Sequence, residues 1–214
     1  MSRETPVGWR EHVADLETIR VQLGLEQLVI LGYSWGGLLA MLYLLEHPDR
    51  VQQLALVSPA SITSADRLAF EAEFARRMRA PEIVEARDEL RNSPIAERDT
   101  DDYRRRMFEL SIAGYFRDPL QARNLTPFRV TGRTQQAVWE SLGNYDLRSR
   151  ITALESRPPS LILHGTYDPI PISGSRTLAQ LLGARLVELP VGHCPHVEAT
   201  DDFVRELDQF LPAA

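Results

Sequence analysis

A short apolar run leads directly into a serine between glycines, and this combination restricts the possible folds. Residues 28–31 read LVIL, residues 32–36 read GYSWG, and residues 35–46 have helical character. A continuous apolar run of this length is typical of a parallel strand that is covered on both faces. The pattern G-x-S-x-G between a strand and a helix predicts a sharp turn that projects the serine hydroxyl above a sheet. The sequence therefore predicts a strand–turn–helix unit with Ser34 at its turn.

Strand-like and helix-like segments alternate along most of the chain. Residues 8–23 have apolar side chains at three- and four-residue steps, which predicts an amphipathic helix before the first strand. Elsewhere the pattern predicts strands at 54–57, 160–163 and 186–189, and helices at 174–182 and 200–211. A β-α-β order of this kind predicts a parallel α/β sheet with right-handed crossovers.

Residues 61–155 have a different texture. Charged residues are frequent, as in RMRAPEIVEARDELRN and ERDTDDYRRRMFEL, and strand-like runs are missing. We interpret the charge runs as solvated helix faces rather than as binding patches. The predicted organisation is therefore a core made of residues 1–60 and 156–214, with residues 61–155 as a mostly helical insertion.

The composition narrows the class of protein. The chain has 214 residues and a formal net charge of −6, which argues against a nucleic-acid partner because binding phosphates requires a basic face. No apolar run approaches the roughly 20 residues of a membrane span, and no signal peptide opens the chain. Cys194 is the only cysteine, which excludes an internal disulfide. With no metal-like spacing of ligands either, we predict a soluble cytoplasmic protein that uses no metal or cofactor and binds no membrane.

Two residues late in the chain complete the chemistry that Ser34 needs. A serine hydroxyl becomes a strong nucleophile only when a base takes its proton and a carboxylate orients that base. Asp168 follows the predicted strand 160–163, and His193 follows the predicted strand 186–189. Since functional groups gather at the carboxyl ends of parallel strands, both side chains are predicted to lie near Ser34.

The turn itself gives two further predictions. Gly32 and Gly36 are both expected to be required sterically, because side chains at these positions would collide with the turn. The backbone N–H of Trp35 lies in the first turn of the following helix. There it is predicted to face the negatively charged oxygen that develops during acyl transfer.

Each candidate has a structural alternative. Asp168 precedes a proline, and such a pair often only initiates a turn. His196 competes with His193 for the role of base, and His193 is favoured because the preceding glycine gives it the tighter loop. His164 ends a predicted strand and is expected to be packed, and Cys194 is expected to be a partly buried spectator.

Three stretches carry a resemblance to a known family. They are GYSWGG with the following LLAMLYLLEHPDRVQQLALVSP, then LILHGTYDPIP, and then ELPVGHCPHVEA. With these residues the chain resembles the α/β-hydrolase superfamily, and within it the proline-iminopeptidase-like serine hydrolases. The resemblance covers residues 1–60 and 156–214, and it covers residues 61–155 only by position, as the helical cap of these enzymes.

The resemblance implies a role for each candidate. It makes Ser34 the nucleophile, Asp168 the acid and His193 the base, and it makes the Trp35 N–H one of the oxyanion donors. It also places a recurrent acidic residue at Glu198. For Glu198 two roles stay open, namely support of the last helix and a part in catalysis.

At its front the sequence departs from this family. Relatives begin with further strands and a loop, commonly His-Gly-Gly-Pro-Gly, which donates a second N–H to the oxyanion, and the sequence has no such loop. Loss of one donor typically costs roughly 10²–10³ in turnover. The nucleophile strand would also have an unpaired apolar edge, through which a homo-oligomer can form. We therefore expect an N-terminally truncated α/β-hydrolase core with a helical cap. Three explanations stay open: the chain is a fragment of a longer protein, it pairs with a strand edge of a partner, or its activity is impaired.

The leading hypothesis is a serine hydrolase that cleaves an ester or amide bond of a small-molecule or short-peptide substrate through an acyl-enzyme. An aminopeptidase acting on N-terminal proline-like residues and a carboxylesterase both fit. Peptidase relatives bind the substrate amine with cap carboxylates. Residues 61–155 hold many candidates, Glu71, Glu73 and Glu140 among them, and no specific signal assigns this role to any of them. A non-catalytic or impaired binding module of the same fold is the alternative from another class. Hydrolysis of a carbon–carbon bond can use the same triad.

Overall fold

A parallel β-sheet forms the centre of the computed structural model, which describes residues 7–128 and 132–211. Within these residues the sheet has the strands β1 (Leu28–Tyr33), β2 (Val51–Val57), β3 (Ser160–Gly165) and β4 (Arg185–Leu189), which lie side by side in chain order. Every neighbouring pair is parallel. Each predicted strand lies inside an observed one, so the α/β class and the parallel sheet are confirmed.

Helices connect and cover these strands. In chain order they are α1 (Trp9–Gln22), α2 (Trp35–Glu46), α3 (Ser64–Arg77), α4 (Pro81–Asn92), α5 (Ile95–Arg98), α6 (Thr100–Ile112), α7 (Gly132–Leu142), α8 (Arg148–Thr152), α9 (Ile172–Leu182), α10 (Pro195–Glu198) and α11 (Thr200–Phe210). Short 3-10 helices occur at Pro48–Arg50, Ala113–Tyr115 and Pro119–Asn124. Helix α2 ends just before Pro48 because the residue preceding a proline disfavours the helical conformation.

The two faces of the sheet are covered by different helices. On one face Leu54, Leu56 and Ile162 join a core cluster that includes residues of α1, α2 and α9. On the other face, alternate residues of β2 and β3 pack against Leu207 and its neighbours on α11. Because successive side chains of a strand point to opposite faces, β2 and β3 are buried on both sides. This double burial explains their continuous apolar sequences.

Strand β1 lies at an edge of the described sheet, and its two faces differ. Leu28 and Ile30 pack against the same core cluster as α1 and α2. Val29 and Leu31 point to the opposite face, where they are 41% and 47% exposed. The expected apolar edge is therefore present in the described part of the chain, at the strand that leads into Ser34.

The chain between β2 and β3 is helical in the described residues, from α3 to α8. Its last part packs with the sheet, since Tyr145, Leu147 and Ile151 belong to the core cluster beside α1 and α2. The division of the chain at residues 60 and 155 stays a prediction, and residues 1–6, 129–131 and 212–214 lie outside the described residues. In the described residues no helix is both long enough and apolar enough to cross a lipid bilayer.

Leu56 and Leu31 form a matched pair that tests this burial pattern. Leu56 on β2 is fully buried, whereas Leu31 on β1 is 47% exposed. We expect Leu56→Ala to lower the free energy of unfolding by about 2–5 kcal/mol because it leaves a cavity in the core. Leu31→Ala is expected to change it by less than about 1 kcal/mol. Urea unfolding followed by circular dichroism measures both, and equal losses would contradict the exposure of β1.

Candidate active site

Ser34 occupies a strained turn between β1 and α2. Its backbone has φ 53° and ψ −119°, a region that costs a non-glycine residue on the order of 1–3 kcal/mol. The turn is held in place by backbone hydrogen bonds. The Ser34 N–H donates to the Val57 carbonyl at 2.9 Å, and the Ser34 carbonyl accepts from Gly37 and Ala60, both at 2.9 Å. The predicted strand–turn–helix unit is thus observed, with the serine in the predicted conformation.

The steric requirement for glycine falls on only one of the two predicted positions. A Cβ atom added to Gly32 would lie 2.5 Å from the carbonyl oxygen of Gly36. A Cβ atom added to Gly36 would meet nothing within 4 Å. The prediction was therefore right for Gly32 and wrong for Gly36, because the Gly36 side-chain position points away from the turn and only its carbonyl is crowded.

Asp168 and His193 meet in a buried hydrogen bond. Asp168 Oδ2 lies 2.9 Å from His193 Nδ1, and Asp168 Oδ1 accepts the Ile170 N–H at 2.8 Å. Burial works against the charged form of Asp168, but the interactions with His193, His164 and the Ile170 N–H together outweigh it, so the pKa of Asp168 lies below its ordinary value. An ionised Asp168 favours the tautomer with the proton on His193 Nδ1, which leaves Nε2 as the nitrogen that can accept a proton.

His193 lies next to the end of β1. The ring of Tyr33, the residue before Ser34, has its centroid 5.1 Å from that of His193. The hydrogen bonds of His193 run to Asp168 and, from its backbone N–H, to Tyr115, and within the described residues none joins it to Ser34. The structure therefore brings Asp168 and His193 into contact beside the turn, and the complete triad stays a prediction.

Trp35 is the first residue of α2. At this position a backbone N–H has no acceptor inside its own helix, so it is available to a ligand at the turn. The Trp35 indole packs edge to face against Trp139 of α7, with ring centroids 5.0 Å apart. Its role as an oxyanion donor stays a prediction.

The competing residues have other contacts. His196 is half-buried and packs against Tyr33, with ring centroids 4.9 Å apart. His164 is fully buried, its Nδ1 lies 2.8 Å from Ser175 Oγ, and burial lowers its pKa. Burial raises the pKa of the Cys194 thiol to about 12, and its sulfur lies 3.2 Å from the Tyr33 hydroxyl. These contacts agree with a packed His164 and an unreactive Cys194.

Sequence reasoning missed one contribution to the surroundings of His193. The Tyr115 ring, from the segment between β2 and β3, stacks on the His193 ring with centroids 4.7 Å apart and an angle of 28°. The Tyr115 carbonyl accepts the His193 N–H at 2.7 Å. Phe74 and Phe70 of α3 continue this aromatic group at 4.3 Å and 6.1 Å from Tyr115. No sequence motif predicts these contacts, because they depend on how the segment between β2 and β3 packs against the His193 loop.

Comparisons with known proteins agree with this architecture. A family model described as the alpha/beta hydrolase fold matches residues 3–200. A 2-hydroxymuconate semialdehyde hydrolase of Pseudomonas putida is 27% identical over 216 positions, which cover 96% of this chain and 69% of the relative. A proline iminopeptidase of Lactobacillus helveticus is 24% identical over 219 positions, which cover 93% and 70%. A solved α/β fold family hydrolase from Bacillus anthracis has a TM-score of 0.70 at 19% identity, covering 95% of this chain and 74% of that one.

Gly32 and Gly36 provide a paired test of the turn. Gly32→Ala is expected to destabilise the protein by about 1–3 kcal/mol or more, because the new methyl group overlaps the Gly36 carbonyl. Gly36→Ala is expected to be neutral or to stabilise by up to about 1 kcal/mol, because alanine loses less backbone entropy in a helix. Thermal unfolding measures both variants. A large loss in Gly36→Ala would contradict the open space beside this residue.

Proposed function

The chain belongs to the α/β hydrolase fold family, and within this family we propose that it is a serine hydrolase that cleaves carboxylic esters through an acyl-enzyme on Ser34. The observation that carries the proposal is the 2.9 Å hydrogen bond between Asp168 and His193. This hydrogen bond is buried, and the His193 ring lies 5.1 Å from that of Tyr33, the residue before a serine held at φ 53°. A nucleophile, a base and an orienting carboxylate at one sheet edge are the groups that acyl transfer requires.

In the proposed reaction Asp168 keeps a proton on His193 Nδ1, and Nε2 accepts the proton of the Ser34 hydroxyl. Ser34 Oγ attacks the ester carbonyl carbon and forms a tetrahedral intermediate. Collapse of this intermediate breaks the ester C–O bond, and the imidazolium donates its proton to the departing alcohol. Water then attacks the acyl-enzyme with His193 again as base, which releases the carboxylic acid and restores the serine.

One charge and one backbone dipole support this sequence of steps. The low pKa of Asp168 keeps its carboxylate ionised at neutral pH, where it stabilises the imidazolium that His193 becomes. The Trp35 N–H lies at the positive end of the α2 dipole and is the proposed donor to the oxyanion of the intermediate.

The three carboxylates named above as candidates for binding a peptide amine already have partners. Glu71 pairs with Arg67, and arginines of its own helix hold the pKa of Glu73 at about 2 through hydrogen bonds. Glu140 accepts a hydrogen bond from the Gln136 amide at 2.7 Å. A carboxylate that is satisfied within its own helix gains less from a substrate ammonium than a free one. For this reason we favour an ester over an N-terminal amine as the substrate feature.

The aromatic group beside His193 favours an apolar substituent on the ester. The rings of Tyr115, Phe74 and Phe70 pack together with centroids 4.3–6.1 Å apart, and both phenylalanines are only partly buried. Contact with partly exposed aromatic rings removes apolar surface from water, which favours binding of apolar groups.

A second candidate substrate comes from the Pseudomonas putida relative. That protein is named for the hydrolysis of 2-hydroxymuconate semialdehyde, and its similarity extends over 96% of this chain. Hydrolysis of a carbon–carbon bond can use the same serine, base and acid. This compound is therefore a second test substrate.

A fluorophosphonate probe tests the serine mechanism directly. The wild-type protein is expected to form an adduct on the peptide that contains Ser34, and Ser34→Ala is expected to form none. Ser58→Ala is the matched control, because Ser58 lies at the end of the neighbouring strand and also has a positive φ, 42°. It should keep the adduct. A folded wild-type protein that stays unlabelled, or labelling that persists in Ser34→Ala, would favour the non-catalytic binding module.

A substrate panel separates the candidate activities. Short p-nitrophenyl esters, proline p-nitroanilide and 2-hydroxymuconate semialdehyde are compared by kcat/KM, with Ser34→Ala as the background. We expect the esters to have the highest value, because the carboxylates on α3 are neutralised by arginines. A higher value for the proline amide would assign the chain to the aminopeptidases instead.

A further inference from the structure

Glu198 bridges two segments that are far apart in the sequence. It is the last residue of α10, directly after the loop that contains His193. Its Oε1 accepts the Gly192 N–H at 2.9 Å, and its Oε2 accepts the Arg117 N–H at 2.9 Å. It does not cap α11, which has no side-chain cap hydrogen bond. Both oxygens are thus used to connect the His193 loop, residues 190–194, with the 115–117 segment.

The same two segments touch at further points. The Tyr115 carbonyl accepts the His193 N–H at 2.7 Å, and the Arg117 guanidinium donates to the Pro190 carbonyl at 2.8 Å. A Cβ atom on Gly192 would lie 2.2 Å from the Tyr115 carbonyl oxygen. The 115–117 segment therefore lies directly against the backbone of the His193 loop, and only a glycine fits between them.

Glu198 is held by dipoles rather than by a cation. In the described residues it takes part in no salt bridge, and the Arg117 guanidinium turns to Pro190 instead. Burial, with a smaller contribution from Asp168, raises the pKa of Glu198, while the hydrogen bonds from the backbone N–H groups of Arg117 and Gly192 act to lower it. A half-buried carboxylate without a cation is costly, so its retention here requires these N–H donors.

We propose that Glu198 is a positioning residue, which fixes the His193 loop on the 115–117 segment and thereby sets the His193 ring against Asp168. The effect is transmitted through the backbone of Gly192, the residue next to His193. The helical segment between β2 and β3 then supplies the N–H and the carbonyl that anchor the loop of the base. This inference rests on the proposed function for its kinetic readout, and its spectroscopic readout is independent of activity.

Glu198→Gln is the sharpest variant because it keeps the shape and removes one acceptor. A carboxamide has one oxygen and one NH₂ group, so one of the two backbone N–H donors would face another donor. Glu188→Gln is the matched control, since Glu188 is exposed and pairs with Arg176 on the surface. Thermal unfolding establishes that both variants are folded.

Two readouts distinguish positioning from general stability. The first is the NMR signal of the His193 Nδ1 proton, which is identified by its loss in Asp168→Asn. It is expected to broaden or disappear in Glu198→Gln and to persist in Glu188→Gln. The second is the rate of fluorophosphonate labelling of Ser34, which is expected to fall on the order of 10²-fold, as for a misplacement of about 1 Å. With substrate, kcat should fall while KM changes little.

The outcomes separate this inference from the proposed function. If wild-type protein is not labelled, the serine hydrolase proposal fails, and the proton signal still decides the role of Glu198. A folded Glu198→Gln variant that keeps both the proton signal and the wild-type labelling rate would overturn the inference. Loss of the proton signal in Glu198→Gln but not in Glu188→Gln would support it.

Discussion

The carbonyl oxygen of Ser34 accepts the backbone hydrogen bonds that hold the turn of the candidate active site in place. It receives the N–H groups of Gly37 and Leu38 from the first turn of α2, and that of Ala60 from the segment after β2. The strained turn, the start of the helix and the end of the neighbouring strand are therefore tied to one atom. The chain cannot relax φ of Ser34 without losing several backbone hydrogen bonds, and an unmade buried hydrogen bond costs about 1–3 kcal/mol. This is why a serine can remain at a backbone conformation that glycine would adopt more easily.

Much of this architecture could be predicted from local patterns. The strands and the helix α2 were predicted to within a few residues, because their periodicity and the glycine and proline residues at their ends are local signals. The meeting of Asp168 and His193 was also predictable. Both follow strands of one parallel sheet, and the carboxyl ends of such strands all lie on the same side of the sheet, where the chain leaves each strand.

What could not be predicted depends on distant contacts. The direction of the Gly36 side-chain position follows from the orientation of α2, which the motif G-x-S-x-G does not specify. The hydrogen bond between Arg117 and Glu198 joins residues 81 positions apart, and Arg117 lies in a charged segment whose composition suggests only solvent exposure. The two roles left open for Glu198 could not be separated from the sequence, because one of its two hydrogen-bond partners is the distant Arg117.

Strand β1 carries Ser34 at one end and leaves Val29 and Leu31 open to solvent on one face. Any molecule that pairs with this edge restricts the backbone of the strand that leads into the strained turn. Thermodynamic reciprocity then applies, so that an edge partner that favours the reactive geometry of Ser34 is itself bound more tightly when an acyl group or inhibitor occupies the serine. Self-association at this edge, the interaction predicted from the sequence, would make occupancy of the site depend on protein concentration.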